Sequence, residues 1–398
     1  MHSLINSTKK HLYAYKQRTL YSLFPSYRNQ ECSNILPSPP QTTKHVGHVA
    51  VYTHANAGDT LLPRTVRDSI DRISPLQWNG IHAHQIVGKK LSTEINQLDG
   101  LAIGGGGLFL CDTNPNKLSG WQWSCGIKAL DHINTPMALF AVGYNRFRGQ
   151  PDFKPIFKKH LELLAKKSLF IGLRNSGSIQ AIKSYLPEEL HHKIRFHPCP
   201  TTLCKILYPE ICKKQEDSAK PIIALNCAFD RINLRLGNKT DQILQELACT
   251  IKILSETCSI AYYAHSKNDL QMLPYLKNQG VKTEVVELFS MPPAKVVEAY
   301  STPSLVIGMR GHAQMIPFGC ETPILSLISH DKIRWFLDDI KRPQWGIEMR
   351  SPHFRIQLLE AAEKTLQKKD AIEKDIHQIQ NNLFATTRTN VLEFISAL

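Results

Sequence analysis

The chain has 398 residues, a formal net charge of +14 and an ordinary globular composition, with 42% hydrophobic and 21% charged residues. That length exceeds the size at which one core usually stops growing, so two domains are expected. No apolar run reaches the ~20 residues that span a bilayer, no secretory leader is recognisable, and the protein is expected in the cytoplasm. The positive balance calls for acidic partners.

No helix-turn-helix, aromatic RNA-binding motif or zinc finger is present, so nucleic acid is not expected. A phosphorylated substrate and an anionic lipid surface both fit the charge. The ten cysteines are scattered singly, with no CxxC pair, and read as free core thiols. The densest His/Cys group, His191, His192, His197, Cys199, Cys204 and Cys212, fits no standard zinc spacing. No metal is assigned.

Residues 1–45 read as a basic helical extension and linker. Leu12, Tyr13, Leu20 and Leu23 interleave with Lys9, Lys10, Lys16 and Arg18, and a Pro/Ser/Thr-rich connector follows from Ser33 to Lys44. Docking on the first domain is the favoured role. Its basic face also suits an anionic lipid surface at the inner side of the membrane.

A first domain is expected over residues 46–210. Its strands are Val46–Tyr52, Gly100–Ile103, Met137–Val142 and Ser168–Gly172. After the first strand, Asn56 and Gly58 shape a loop, and a helix runs from about Thr60, with Asp59 available as its cap. The second strand ends in four glycines, Gly104 to Gly107. Such a run admits a ligand close to the backbone and offers N–H groups to an anion. It is neither a P-loop nor GxGxxG. The fourth strand ends at Arg174, and Ser176 is placed to cap a helix through Ser184.

A polar segment, Pro209 to Lys220, reads as the crossover to a second domain over residues 211–350. Strands are expected at Ile222–Asn226, Cys258–Ala264, Glu284–Glu287, Leu305–Ile307 and Ile324–Leu327, with helices at Thr240–Glu256 and Pro293–Tyr300. The tail over residues 351–398 reads as helical. Alternating strands and helices define an α/β chain with two Rossmann-like, doubly wound parallel sheets.

In open α/β sheets, ligands bind at the C-terminal edges of the strands. The stretch from Ser304 to Phe336 places Arg310 and His312 after one strand and His330 and Lys332 after the next. That stretch carries almost no acid at its strand ends, as a site for a small, highly charged anion would require. Tyr262, Tyr263, His265 and Lys267 follow another strand and are further cleft candidates. Each residue has a plainer rival: Arg310 as a structural partner of Glu321, His312 as a core histidine, Asp59 as a helix cap, His330 as a structural residue.

Arg310-Gly311-His312-Ala313 with Gly319, Pro323 and Lys332 resembles the C-terminal signature of the polysaccharide pyruvyl transferase family. The likeness recurs in Asn56-Ala57-Gly58-Asp59, in Gly104 to Leu108 and from Leu173-Arg174 to Ser178, and spans roughly residues 48–350. Gly311 stands where the family usually has Leu, and Pro198-Cys199-Pro200 where it often has an acid.

The resemblance implies two Rossmann-like domains facing across a cleft, in the GT-B-like manner. It implies transfer of the pyruvyl group of phosphoenolpyruvate onto a sugar of a surface polysaccharide precursor (capsule, exopolysaccharide or lipopolysaccharide) as a cyclic ketal. The acceptor would be lipid-linked or nucleotide-linked, and phosphoenolpyruvate is a donor substrate, with no cofactor. By that carry-over, Arg174, Arg310 and Lys332 bind the donor, His312 is the acid or base, and Asp59 is a candidate base for a sugar hydroxyl. Asn56, Gly105, Gly106, His265 and His330 line the acceptor side or the cleft. The alternative is a GT-B glycosyltransferase using a nucleotide sugar, against which the acid-free Gly308 to Gln314 stretch weighs. A third reading is a non-catalytic sugar- or membrane-binding assembly protein.

Overall fold

A computed structural model describes residues 34–35, 43–52, 56–146, 150–213 and 220–398. The expected N-terminal helix and most of its linker lie outside the described residues.

Two six-stranded sheets carry the fold, and every strand pairing in them is parallel. The first contains β1 (His45–Ala50), β2 (Gln77–His82), β3 (Gly100–Phe109), β4 (Met137–Tyr144), β5 (Ser168–Leu173) and β6 (Ile194–Phe196). Their order is β2-β1-β3-β4-β5-β6. The second contains β7 (Ile222–Asn226), β8 (Ser259–Ala264), β9 (Thr283–Glu287), β10 (Leu305–Gly308), β11 (Ile324–Ile328) and β12 (Gly346–Glu348), in the order β12-β11-β10-β7-β8-β9.

Central strands such as β4, MALFAVGY, are buried along their whole length. Helices cover both faces, which is why these strands read as continuous apolar runs. In the first sheet the strand order reverses between β1 and β3, and in the second between β7 and β10. These two switch points face each other, and ligand crevices open at such places.

Three strands escape the sequence reading. β2 is QWNGIH and is buried only over its last three residues. β6 and β12 are three residues each. A further correction concerns β3, which does not stop at Ile103 but runs through the glycines to Phe109. Gly104 and Gly106 adopt φ of +128° and +119°, which favours glycine. A Cβ on Gly104 would sit 2.1 Å from the Phe140 carbonyl oxygen of the neighbouring strand. The glycine run is therefore strand backbone at the cleft edge rather than a loop beyond it.

Three apolar clusters form the core. One packs β1, β3, β4 and β5 against the helices Lys89–Ile95, Ile127–His132 and Pro155–Lys167, through Leu91, Leu130, Phe157 and Leu161. Another fills the outer side of the second sheet under Leu244, Leu247 and Phe354. The third joins the halves: Leu61 and Val66 of the helix Ala57–Asp71 share it with Ile316 and Phe318 of the helix His312–Gly319. Buried apolar area is the main stabiliser of such a contact, at about 25 cal/mol per Å².

Two C-terminal helices follow. Phe354–Gln367 packs on the second domain through Phe354, Leu358 and Ala362. The 28-residue helix Lys369–Ser396 then returns to the first. Along it, Asp375 pairs with Arg342, Gln380 donates to the Phe318 carbonyl, Glu393 pairs with Arg195 at 2.6 Å, and Phe394 meets Phe140 edge-on at 5.3 Å.

Candidate active site

A cavity of about 880 Å³ lies between the two sheets at their switch points. From the first domain it is lined by Asn56, Asp59, His82, His84, Gly105, Gly106, Asn145 and Arg174. From the second come Asp230, Arg231, Arg235, His265, Arg310, His312 and Lys332. Of the residues that sequence placed at the cleft, His330, Tyr262, Tyr263 and Lys267 do not line it, and the others do.

Asn56 and Asp59 stand at the start of the helix Ala57–Asp71. The N-cap is Asn56, whose Oδ1 accepts from Gly58 N at 2.9 Å, not Asp59. That leaves the Asp59 carboxylate free to face the cavity. Burial raises its pKa, against the nearby charges of Arg310, Arg174 and Lys332. A carboxylate tuned upward is a better base than an ordinary one.

Arg174 follows β5 and is 8% exposed. Its Nε has no hydrogen-bond partner among the described residues, and no carboxylate pairs with it there. Burial lowers its pKa, offset by Cys199 and Asp59. Gly143 makes room for it: a Cβ there would lie 2.3 Å from Nε. The next helix is capped by Asn175, which accepts from Ser178 N at 2.8 Å, rather than by Ser176.

Lys332 Nζ donates to Asn145 Oδ1 across the cleft at 3.0 Å. Burial, then Arg235 and Arg174, push its pKa well below the usual lysine range. His330 has a different job. It caps the helix Asp331–Asp339, its Nδ1 accepting from Lys332 N at 3.2 Å, and it does not line the cavity. Its assignment to the cleft is corrected accordingly.

His312 opens its helix at the mouth of the β10 turn. Burial, followed by the charges of Arg174, His265, Lys332 and Arg310, holds its pKa well below the imidazole range, which favours the neutral ring. Cys199 Sγ lies 3.9 Å from Nε2.

Arg310 departs most from expectation. It does not pair with Glu321, which instead bonds His377 at 2.6 Å. Its Nε donates to Asp269 Oδ2 at 2.8 Å, its Nη2 reaches both Asp269 Oδ1 and Ser266 Oγ, and its Nη1 lies 2.6 Å from Asp230 Oδ1. Burial works against its charge. The hydrogen bonds and charges of Asp269 and Asp230 outweigh that and raise its pKa above the arginine range. Two carboxylates thus neutralise the residue that sequence placed first on the donor.

Sequence reasoning missed these acids. Asp230 follows β7 and also binds Arg235 at 3.0 Å. Asp269 belongs to a capping box with Ser266, and that Ser-x-x-Asp spacing was legible. Also missed were His82, His84 and Gln122, which line the first-domain end of the cavity; His84 Nε2 is 2.6 Å from Gln122 Oε1.

Of the second-domain loop, His265, Ser266 and Asn268 line the cavity. Tyr262 and Tyr263 are core residues instead, bonded to the carbonyls of Asp269 and Ala299. His265 is fully buried; its ring meets Tyr300 OH, and its carbonyl accepts from Ala57 N at 3.0 Å. Among the described residues, no group of three or more His, Cys, Asp or Glu is placed to hold a metal ion.

Two parallel α/β sheets meeting at their switch points define a GT-B-like fold. Solved structures share it at low sequence identity. Anabaena HepE in complex with UDP is 10% identical, with 89% of this chain and 100% of that chain covered and a TM-score of 0.52. UDP-GlcNAc 2-epimerase from Neisseria meningitidis bound to UDP-GlcNAc is 11% identical, at 89% and 99% coverage and TM-score 0.52. The Methanocaldococcus jannaschii UDP-GlcNAc 2-epimerase is 12% identical, at 82% and 93% coverage and TM-score 0.52. The chain belongs to the polysaccharide pyruvyl transferase family, whose profile matches residues 6–331. The match begins well before the likeness read from motifs and ends one residue short of Lys332. Among curated proteins, none matches the chain. Among the described residues, no helix is long and apolar enough to cross a membrane.

Proposed function

We propose that the protein transfers the pyruvyl group of phosphoenolpyruvate to two hydroxyls of one sugar, forming a cyclic ketal and releasing phosphate. Family membership supports the class of reaction. The observation that carries the donor assignment is Arg174: a buried guanidinium whose Nε is unbonded, facing the cavity beside Lys332 and His312. Buried cations are ordinarily paired, so this one is suited to an anion that arrives with substrate. A planar guanidinium matches the donor carboxylate, and the compact Lys332 ammonium matches phosphate.

The chemistry needs one proton delivered to the donor methylene carbon and two removed from sugar hydroxyls. Burial and neighbouring cations favour the neutral form of His312, and the donor's negative charge raises its proton affinity on binding, so that the ring takes up a proton with the donor. Protonated His312 then delivers its proton to the methylene carbon as the first hydroxyl oxygen bonds to the central carbon and gives its own proton to Asp59. The second hydroxyl oxygen displaces phosphate and gives its proton to the now neutral His312, while Arg174 and Lys332 stabilise the departing charge and the Asp59 proton leaves to phosphate or solvent. Arg310, held by Asp230 and Asp269, orders the His265–Asp269 loop and adds field rather than a free ligand arm. Pockets for drug-sized ligands run to about 300–1,000 Å³; a cavity of about 880 Å³ leaves room beyond a three-carbon donor for a sugar on its carrier.

A glycosyltransferase using a nucleotide sugar is the second reading. Two observations favour it: the fold is shared with UDP-bound proteins, and an acid, Asp230, does reach the cleft. Calorimetric titration with phosphoenolpyruvate and with a panel of nucleotide sugars, on wild type and Arg174→Ala, separates the two. Binding of phosphoenolpyruvate that disappears in the variant supports pyruvyl transfer. Tight binding of a nucleotide sugar with none of phosphoenolpyruvate would overturn it.

A further inference from the structure

The helices Lys89–Ile95, Ile127–His132 and Pro155–Lys167 pack side by side over one face of the first sheet. Their inner sides hold Leu91, Leu130, Phe157 and Leu161. Their outer sides are basic: Lys89, Lys90, Lys128, Lys154, Lys158 and Lys159 are all exposed. Against these stand Glu94, Asp131 and Glu162, the last tied to Lys166 at 2.6 Å. Four of the six lysines sit at helix starts: Lys89 and Lys90 open one helix, Lys128 is second in the next, and Lys154 precedes the third. In a parallel α/β sheet, helix starts lie at the C-terminal edge of the strands, which here is the edge bearing the cleft.

A second observation comes from the end of β2 and the loop after it. His82, the last residue of β2, and His84 of the loop line the cavity. Two residues on, Ile86 is 51% exposed, three residues before Lys89 and Lys90 begin. One short loop thus joins the cleft wall to an exposed aliphatic side chain followed by lysines.

We propose that this helical layer is a docking face for an anionic lipid bilayer, with Ile86 entering the headgroup boundary and the cleft mouth held at the membrane surface. The inference does not rest on the catalytic reading. All six charges are lysines, strongly hydrated point charges suited to a diffuse plane of headgroups, whereas Arg is the residue of choice for nucleic acid. Lysines act on an anionic surface within a Debye length, about 8 Å at physiological salt, and an exposed aliphatic residue adds no affinity for a polyanion in solution. The docked face would hold the His82–His84 end of the cleft beside that surface.

The test is co-sedimentation of the full chain with vesicles of phosphatidylglycerol mixed with phosphatidylcholine, against pure phosphatidylcholine. Wild type should bind the anionic vesicles and release as salt rises. K154E/K158E/K159E should weaken binding by about a hundredfold, and Ile86→Ser by several fold, with phosphoenolpyruvate binding unchanged in both. A charge-matched control on the C-terminal helices, K364E/K368E/K374E, should keep its vesicle binding. The proposal is overturned if wild type does not distinguish the two vesicles, or if the control loses as much as the test variant. It is also overturned if the test variant binds undiminished, which would place any lipid contact elsewhere in the chain. Binding of duplex RNA or DNA that the same triple variant abolishes, without vesicle binding, would give the face to nucleic acid instead.

Discussion

The imidazole of His312 rests directly on Gly58 of the opposite domain: a Cβ at that position would lie 2.1 Å from Nδ1 and 2.6 Å from Cγ. The absence of a side chain at Gly58 is what lets the candidate acid/base sit at the start of the first-domain helix, beside Asp59. Gly58→Ala should therefore push the ring aside while leaving the helix intact. Misplacing a catalytic group by about 1 Å costs on the order of a hundredfold in rate. Turnover of phosphoenolpyruvate should fall by that factor, with thermal stability close to wild type. A variant that keeps full turnover would remove His312 from the chemistry or show that the ring is freer than the contact implies.

Arg174 makes a prediction in which stability and binding move apart. Its buried Nε is unbonded and burial outweighs the pull of Cys199 and Asp59 on its charge, so the charge costs stability until a ligand arrives. Arg174→Met should unfold at the same temperature as wild type or higher, measured without ligand. Hydrogen bonds to charged groups contribute about 1.5–3 kcal/mol each, so affinity for phosphoenolpyruvate should drop at least tenfold. Joint loss of stability and binding would mark Arg174 as structural.

Arg310 should behave in the opposite way. Asp269 is fully buried and bonded to Arg310 through both oxygens. Removing one partner of a buried pair strands the other charge, at a cost of about 3–5 kcal/mol. Arg310→Ala should lower the denaturation midpoint markedly. In Arg310→Ala/Asp269→Ala much of that loss should return, since neither charge is then stranded. An Arg310→Ala chain as stable as wild type, yet unable to bind phosphoenolpyruvate, would restore Arg310 to the donor.

The contrast between these arginines marks where the sequence stops being readable. Both follow strands, and both look like free cations in a linear reading. The strand–helix alternation and the convergence of Arg174, Arg310, His312 and Lys332 on one cleft were legible, because buried parallel strands and their switch points leave apolar runs followed by polar turns. What distinguishes Arg310 comes from other strand ends: Asp230 follows β7 and Asp269 follows β8, the latter 41 residues away. A charge assessed only within its own segment misses partners delivered by the sheet. β2, β6 and β12 escaped for a related reason. They are edge-side strands, half buried or three residues long, and show neither an apolar run nor enough length for alternation.

A last prediction concerns the contact that joins the Arg174 and Lys332 segments. Ser176 N, just after Arg174, donates to both oxygens of Asp339 at 3.1 and 3.3 Å; Asp339 ends the helix that carries Lys332. Burial outweighs these bonds and lifts the Asp339 pKa from the ordinary 3.8 to about 6. Asp71 is lifted to about 6 in the same way, by burial against its bonds to Trp78 and Asn34. In both cases the folded chain retains a proton that the unfolded chain has released. The resulting stabilisation is fully present below pH 3.8 and is lost as pH rises through about 6. Other carboxylates with depressed pKa values push the other way, so the informative quantity is a difference between variants. Asp339→Asn keeps an acceptor for Ser176 N and removes the titration. Its urea midpoint, relative to wild type, should rise steadily from pH 4 to pH 6.5 and stay level above that. A constant difference across that range would mean that Asp339 is ionised in the folded chain throughout.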